Sequence, residues 1–314
     1  MALEIKEHIS LAFFTIYKIG GFARFFVEAK SAEEVEEALG FAAKKNIPFF
    51  ILGAGSNILV SDKGFDGLVI RMNGGEVKSD GNRLIADAGV MMARAALEAQ
   101  KAGLSGFEWG IGVPGTIGGS VRGNAGCFGS EINDVIESVK VFDFQKPTTY
   151  NLQPTDCEFS YRDSIFKRRP EWIILSATLR LQKGDPNEIR EKMANLIKER
   201  TAKQDIGTKS CGCIFKNISW SRKDINRQEL LPRFTELEKF GERPGIPASF
   251  LIDMAGLKGR RVGKISISSR HANFFINEGG GTAEEVIMLI AIAKDIVRRT
   301  FGLSLEEEIQ YVGF

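Results

Sequence analysis

What this sequence lacks narrows it first. Four cysteines in 314 residues, Cys127, Cys157, Cys211 and Cys213, have neither the density of a disulfide scaffold nor the spacing of a four-ligand zinc site. No apolar run of about 18 residues could span a bilayer. The opening residues carry Glu4 and Glu7 where a secretory leader would carry a basic stretch and an apolar core. Lys and Arg number 42 against 40 Asp and Glu, and a net charge of +2 confines any anion site to a local patch. There is no internal repeat and no low-complexity tract. Together these absences describe a soluble, cytoplasmic protein in a reducing compartment, with no membrane or nucleic-acid partner and no metal. Its length predicts more than one domain.

Glycine is what the sequence has in excess, 34 residues of 314 against an average of about 7%. Ten of the 34 fall between Gly103 and Gly129, so one segment is built for close backbone approach rather than for side-chain packing.

Alternating and helical patterns place the rest. Phe25 to Ala29 reads as a strand, Ser31 with Glu34 as a capping box opening a helix to about Asn46, and Pro48 to Leu52 as a second strand. Leu68 to Arg71 is another, and Asn73-Gly74-Gly75 marks a boundary. A second region carries strand-like Arg83 to Ala88, a helix from Met91 to Lys101, the glycine-dense stretch, and strands at Val135 to Asp143 and Trp172 to Leu181. Gly184-Asp185-Pro186 punctuates before a helix from Asn187 to Lys203 that opens a third region. There, Ser210 to Asn217 reads as a strand, Ile246 to Leu257 as a helix, and Lys264 to Ser268 with Ala272 to Asn277 as a strand pair. Thr282 and Glu285 cap a long helix whose apolar face runs Val286, Leu289, Ile290, Ala293, Ile296, Val297, and Leu303 to Val312 returns to a strand.

Two glycine segments carry chemistry. Gly53-Ala54-Gly55-Ser56-Asn57 follows a strand directly, where backbone N–H groups can converge on an anion. It lacks the Lys of a Walker loop and the third glycine of a dinucleotide fingerprint, so a tight strand-to-strand turn competes with a phosphate loop. Gly110 to Gly126 packs seven glycines into seventeen residues, interleaved with Thr116, Ser120 and Asn124, which can hydrogen-bond a phosphate or a flavin edge. Paired hairpin turns would need fewer glycines, and the two segments together favour a large phosphate-bearing cofactor.

These segments are followed by Tyr161-Arg162-Asp163-Ser164-Ile165-Phe166-Lys167, Gly212-Cys213-Ile214-Phe215-Lys216-Asn217, Pro247-Ala248-Ser249-Phe250-Leu251-Ile252-Asp253, His271-Ala272-Asn273-Phe274 and Leu305-Glu306-Glu307-Glu308-Ile309. In that order, from about Thr15 to Gly313, the blocks resemble the UDP-N-acetylenolpyruvoylglucosamine reductase (MurB) family. The short connection from Lys167 to Trp172 resembles its second type, which lacks a longer loop with a substrate-covering tyrosine.

The resemblance implies an α+β, three-part flavoprotein: an FAD-binding PCMH-type (vanillyl-alcohol-oxidase-like) unit plus a C-terminal substrate domain. Residues 1–73, completed by 303–314, would form its first FAD-binding part, 74–186 the second, and 187–302 the substrate domain. It implies FAD as cofactor, NADPH as hydride donor, and reduction of the enolpyruvyl ether of a UDP-sugar in peptidoglycan precursor synthesis.

The implied FAD contacts are Gly53, Ala54, Gly55, Ser56 and Asn57, then Gly112, Pro114, Gly115, Thr116, Gly118, Gly119, Ser120, Asn124, Ala125 and Gly126. The implied catalytic set is Arg162, Cys213 and Glu308. Arg162 would hold the substrate carboxylate bidentately, with a surface ion pair to Asp163 as the bland alternative. Cys213 stands where most members have a serine proton donor, and a thiol is the more acidic group; the alternative is a small buried strand residue. Glu308 would work beside the arginine, with Glu306 as fallback because both would share a strand face.

Tyr161, Lys203, Lys216 and Asn217 are the implied substrate contacts, although a solvated helix lysine also explains Lys203. Lys258, Arg260, Arg261, Lys264 and Arg270 form a basic cluster without interleaved aromatics, which reads as a loop near an anionic substrate or as a solvated face. Two other readings remain at this point: an FAD-linked oxidoreductase of the same fold acting on an alcohol or sugar, and a non-enzymatic nucleotide-binding module.

Overall fold

A computed structural model describes residues 3–203, 205 and 207–314. Chain contacts divide it into two compact units. The first runs to Ile9 and takes Phe22–Gly55 and Phe65–Ala202; the second takes Ser10–Gly21, Ser56–Gly64 and Lys203–Phe314.

Within the first unit, Phe65–Met72 is one of two inner strands of a four-stranded sheet, pairing in parallel with Phe22–Ala29 on one side and Phe49–Leu52 on the other. Four successive residues of it, Leu68 to Ile70 and the preceding Gly67, are buried, the run without alternation of a strand covered on both faces. The crossover from Phe22–Ala29 to Phe49–Leu52 is the helix Ala32–Lys45. It starts where Ser31 Oγ accepts from the Glu34 N–H at 3.3 Å and ends at left-handed Asn46.

A second sheet is antiparallel throughout, in the order Thr148–Leu152, Ile136–Asp143, Trp172–Arg180, Arg83–Asp87, Val77–Asp80. Its inner residues, among them Leu84, Ala86, Val139, Val141, Ala177 and Leu179, join Leu68, Ile70, Val35 and Leu39 in one continuous core.

The second unit is built on the helix Ala283–Phe301. Val286, Leu289, Ile290, Ala293 and Val297 are buried along one face, the four branched side chains at about 1.5–3 kcal/mol each. Its start is fixed twice over. Thr282 and Glu285 form a reciprocal capping box, and the Asp62 carboxylate accepts from the N–H groups of Ala283 at 3.0 Å and Glu284 at 3.2 Å. A three-stranded antiparallel sheet of Arg261–Val262, Ile265–Ile267 and Phe275–Asn277 and the helix Ala248–Met254 complete this core, and Gln310–Val312 pairs in parallel with Ile58–Val60.

Four expectations change. The helix expected to open the third region spans Pro186–Lys203, and Ile189 and Met193 bury into the core of the first unit, so that region does not begin at 187. Residues 210–217 form no continuous strand: Gly212 takes a left-handed φ of 79°, and only isolated bridges remain at Cys213 and Phe215. The return strand is confined to Gln310–Val312, and its partner Ile58–Val60 belongs to the second unit. Finally, the glycine-dense stretch contains a helix, Ile117–Arg122, that no apolar periodicity announces.

Candidate active site

The glycine segments meet inside the first unit. A cavity of about 550 Å³ is lined by Gly53 from the first loop and by Thr116, Gly118 and Gly119 from the second, with Pro48, Phe49, Phe144, Phe166 and Trp172 supplying apolar wall. That is the size and character of a small-molecule or cofactor site. Two glycines are dictated by close approach. A Cβ on Gly53 would stand 2.6 Å from Thr116 Oγ1, and one on Gly118 would stand 2.8 Å from Ala88 Cβ.

Arg122 is the only cation among the lining residues and Glu171 the only carboxylate. Burial pulls the Arg122 guanidinium below its ordinary pKa while Asp163 opposes the shift, so a permanent charge sits in a mostly apolar wall. Trp109, just before the second loop, keeps a buried Nε1 donor without a hydrogen-bond partner among the described residues. An apolar chamber with one cation, reached by bare backbone from two loops, fits a dinucleotide-type cofactor such as FAD.

Several loop residues already bond protein groups. Thr116 Oγ1 accepts from the Gly119 N–H at 3.3 Å and so caps the short helix. Asn124 is fully buried and spends its amide on the Ser160 carbonyl at 3.0 Å and the Asn133 N–H at 3.1 Å. Asn57 donates to the Glu308 carbonyl at 3.3 Å and accepts from the Gln310 N–H through its own carbonyl. Ser120 is buried, and its carbonyl accepts from the Ala125 N–H.

Also in the first unit, Tyr161 and Arg162 occupy a two-residue turn closed by reciprocal bonds between Ser160 and Asp163, 3.1 and 3.0 Å. Arg162 adopts a left-handed φ of 56°, a costly conformation for a long side chain and one that concentrates at functional sites. Its guanidinium donates to the Gly126 carbonyl at 3.0 Å and lies 5.5 Å from the centre of the Tyr161 ring. Asp163 is bound by Arg168, which also holds Glu158 at 2.8 Å, so the carboxylate of the bland alternative has another cation. Tyr161 is exposed.

Cys213 and Glu308 come together in the second unit. The segment from Cys213 to Lys216 is flanked on one side by Asn273 and Phe274 and on the other by Glu306 to Glu308. Cys213 bridges Phe274, Phe215 bridges Glu307, the Lys216 N–H donates to the Glu306 carbonyl at 2.8 Å, and the Glu308 N–H donates to the Ile214 carbonyl at 2.8 Å.

The three glutamates have different surroundings. Glu306 pairs with Arg222 at 3.4 Å, while Glu307 holds Lys294 and the Tyr311 hydroxyl, each at 2.7 Å. Glu308 is the one whose charge, with Cys213, pushes the Cys211 thiol upward on top of the main effect of burial. Cys211 is thus a protonated, fully enclosed group beside the pair. His271 lies on the same flanking segment, its ring 4.8 Å from that of Phe274, with burial lowering its pKa and Nδ1 lacking a hydrogen-bond partner among the described residues.

The remaining substrate candidates are less committed to a pocket. Lys203 is exposed at the end of its helix. Lys216 is half-buried, and the Asn217 carbonyl oxygen of the side chain accepts from the Ala248 N–H at 3.2 Å, capping the helix that follows. Three of the basic cluster are neutralised, Lys258 by Asp253, Arg261 by Glu278 and Arg270 by Asp205. Among the described residues, no group of three His, Cys, Asp or Glu could hold a metal, and no helix is long and apolar enough to cross a membrane.

Sequence reasoning missed Arg122, Arg200 and Asn273. The Arg200 guanidinium lies 3.2 Å from where a Cβ on Gly112 would stand, and with Arg162 it draws the Cys127 thiol down against the effect of burial. Its signal was its place one turn before Lys203 on a common helix face.

Comparison with known proteins agrees over the whole length. Residues 23–151 match the FAD binding domain family, and residues 203–312 match the family described as UDP-N-acetylenolpyruvoylglucosamine reductase, C-terminal domain. The UDP-N-acetylenolpyruvoylglucosamine reductase of Clostridium novyi (strain NT) is 36% identical over 312 residues, covering 99% of this chain and 92% of that protein. That of Caldicellulosiruptor bescii is 37% identical over 312 residues, covering 98% and 90%. The crystal structure of UDP-N-acetylenolpyruvylglucosamine reductase (MurB) from Thermus caldophilus superposes with a TM-score of 0.77 at 30% identity, covering 99% of each chain. With its glycine-lined cavity in one unit and its thiol–carboxylate pair in the other, this chain belongs to the UDP-N-acetylenolpyruvoylglucosamine reductase family.

Proposed function

We infer that this protein reduces UDP-N-acetylglucosamine enolpyruvate to UDP-N-acetylmuramate with NADPH and FAD, in peptidoglycan precursor synthesis. The observation that carries the reading is the Cys213–Glu308 pair, an acid and a carboxylate fastened to the same three-residue segment. Gly53, Thr116, Gly118, Gly119 and Arg122 would hold the FAD. The chemistry FAD supplies is storage of a hydride taken from NADPH for the terminal alkene carbon of the substrate.

The protein supplies the rest. Hydride addition builds negative charge on the carbon next to the substrate carboxylate, as an enolate-like species. Arg162, permanently charged and planar, receives that carboxylate and stabilises the charge as it develops. Cys213 gives its proton to the carbon and recovers one from water, so NADPH, one proton and the alkene yield NADP and the saturated ether. Glu308, whose main-chain N–H is bonded to the Ile214 carbonyl one residue from Cys213, is assigned to the substrate as the third member of the catalytic set. Tyr161, Lys203, Lys216 and Asn217 are assigned to the UDP-sugar.

The first unit is assigned to the cofactor and also carries the substrate residues Tyr161 and Arg162, and the second carries the remaining substrate residues. Four free cysteines and the absence of any spanning helix among the described residues support a cytoplasmic location.

A stopped-flow experiment tests the reading. NADPH is expected to bleach the flavin of the holoenzyme, and the enolpyruvyl UDP-sugar to restore its colour with formation of the saturated product. Bleaching without restoration removes the substrate assignment.

A further inference from the structure

Cys213 lies outside any regular strand, yet its segment is held at both edges, and the residue that does most of the holding has no part in the chemistry above. Asn273 is 1% exposed. Its side-chain Oδ1 accepts from the Phe215 N–H at 2.9 Å, its Nδ2 donates to the Phe215 carbonyl at 2.8 Å, and its main-chain carbonyl accepts from the Ile214 N–H at 2.9 Å. The next residue, Phe274, bridges Cys213 itself. On the far edge the Ile214 carbonyl takes the Glu308 N–H at 2.8 Å. Ile214 is therefore bonded to Asn273 through its N–H and to Glu308 through its carbonyl, one residue from the thiol.

An ordinary ladder would not do the same. A backbone partner can slip in register, whereas a side-chain amide that grips both the N–H and the carbonyl of one residue admits a single alignment. Phe215 is 1% exposed, so water cannot replace either bond, and each peptide group left bare costs about 1–3 kcal/mol. The left-handed turn at Gly212 precedes this grip and leaves the chain without a regular ladder to set its course.

Asn277, at the end of the strand Phe275–Asn277 that follows Asn273, offers a natural contrast. It is 3% exposed and equally engaged, donating to the Tyr17 carbonyl at 3.0 Å and accepting from the N–H groups of Gly279 and Gly281 at 2.9 Å. Those bonds hold loops, and none of them reaches residues 213 to 215.

We propose that Asn273 is the positioning residue that aligns the Cys213 thiol with Glu308 for proton delivery. The inference rests on the reading of Cys213 as proton donor. Asn273→Leu removes both amide bonds at similar volume, and Asn273→Gln, read in the same way if the leucine variant does not fold, keeps the amide one methylene out of place. Asn277→Ala is the control.

In the holoenzyme, alkylation of Cys213 by iodoacetamide is followed by peptide mass across pH, and the two flavin half-reactions are followed in H2O and D2O. For a folded Asn273 variant the alkylation rate profile is expected to change about tenfold. Flavin reoxidation by the enolpyruvyl UDP-sugar is expected to slow about tenfold, with a larger solvent isotope effect, while bleaching by NADPH stays within about twofold. Asn277→Ala is expected to lower thermal stability and leave the Cys213 profile and isotope effect at their wild-type values. A wild-type alkylation profile and isotope effect in a folded Asn273 variant overturn the proposal. A changed profile with wild-type reoxidation overturns it at the donor role of Cys213 rather than at the geometry.

Discussion

The glycine-lined cavity of the first unit and the Cys213 segment of the second solve opposite problems. In the first, ligand space is made by subtraction: side chains are missing at Gly53 and Gly118 where a Cβ would run into Thr116 or Ala88. In the second, a reactive group is fixed by addition: Asn273, Phe274, Glu306 and Glu308 supply bonds that a regular strand would otherwise provide. A binding surface for phosphate can be made of bare backbone. A proton donor needs a defined position, and the chain reaches it with side-chain and long-range partners.

The comparison breaks most visibly at the donor. Cys213→Ala should slow flavin reoxidation by substrate on the order of 10²–10³-fold while bleaching by NADPH persists, as read by stopped flow. Cys213→Ser should retain turnover, since a hydroxyl can also donate; an inactive serine variant would point to thiol-specific geometry.

Next in size is Arg162→Lys, which keeps the charge and loses the planar fork. Roughly tenfold lower kcat/KM for the enolpyruvyl substrate is expected, with bleaching by NADPH unchanged. An unaltered kcat/KM would take the carboxylate away from Arg162.

The subtraction side is tested by Gly53→Ala. The added Cβ pushes on Thr116 Oγ1 at 2.6 Å, and FAD retention, measured as bound flavin after dialysis, should weaken about tenfold. Full retention would show that the loop yields.

The smallest effect belongs to a residue outside both regions. Thr282→Ala should cost about 1 kcal/mol in denaturant unfolding and leave both half-reactions alone, with Asp62 still holding the helix start. A change in either half-reaction would link the helix to the chemistry.

What was legible in the sequence was local. Ser31 with Glu34 and Thr282 with Glu285 marked helix starts because a cap bonds only three residues away, and the apolar face of Ala283–Phe301 repeats within each turn. The parallel strand around Leu68 stood out because burial of Gly67 to Ile70 on both faces leaves an unbroken run without a polar residue. The glycine clusters were visible as composition, although the helix Ile117–Arg122 inside them was not, since Gly118 and Gly119 are poor helix formers, and the close packing on Ala88 that calls for Gly118 is not local in sequence.

Residues 210–217 misled for the opposite reason. Their apolar content suits a strand, but their partners come from far along the chain, Asn273 at 58 positions from Phe215, and nothing local announces a side-chain grip. Arg162 and Cys213 were singled out through the family resemblance; no neighbouring residue would have separated Arg162 from Asp163 as members of a surface ion pair.

Asn57 reaches Glu308 across 251 positions, and Asp62 reaches Ala283 across 221. Such pairings bring a high loop-closure cost that is met only when both ends are present. On the ribosome Asn57, Ile58–Val60 and Asp62 must therefore wait for partners synthesised more than two hundred positions later, while the parallel sheet around Leu68 can already form. An isolated fragment beginning at residue 203 would lack Asn57, Ile58–Val60 and Asp62, so the sequence family that covers 203–312 marks a unit of ancestry rather than a piece that can be cut out whole.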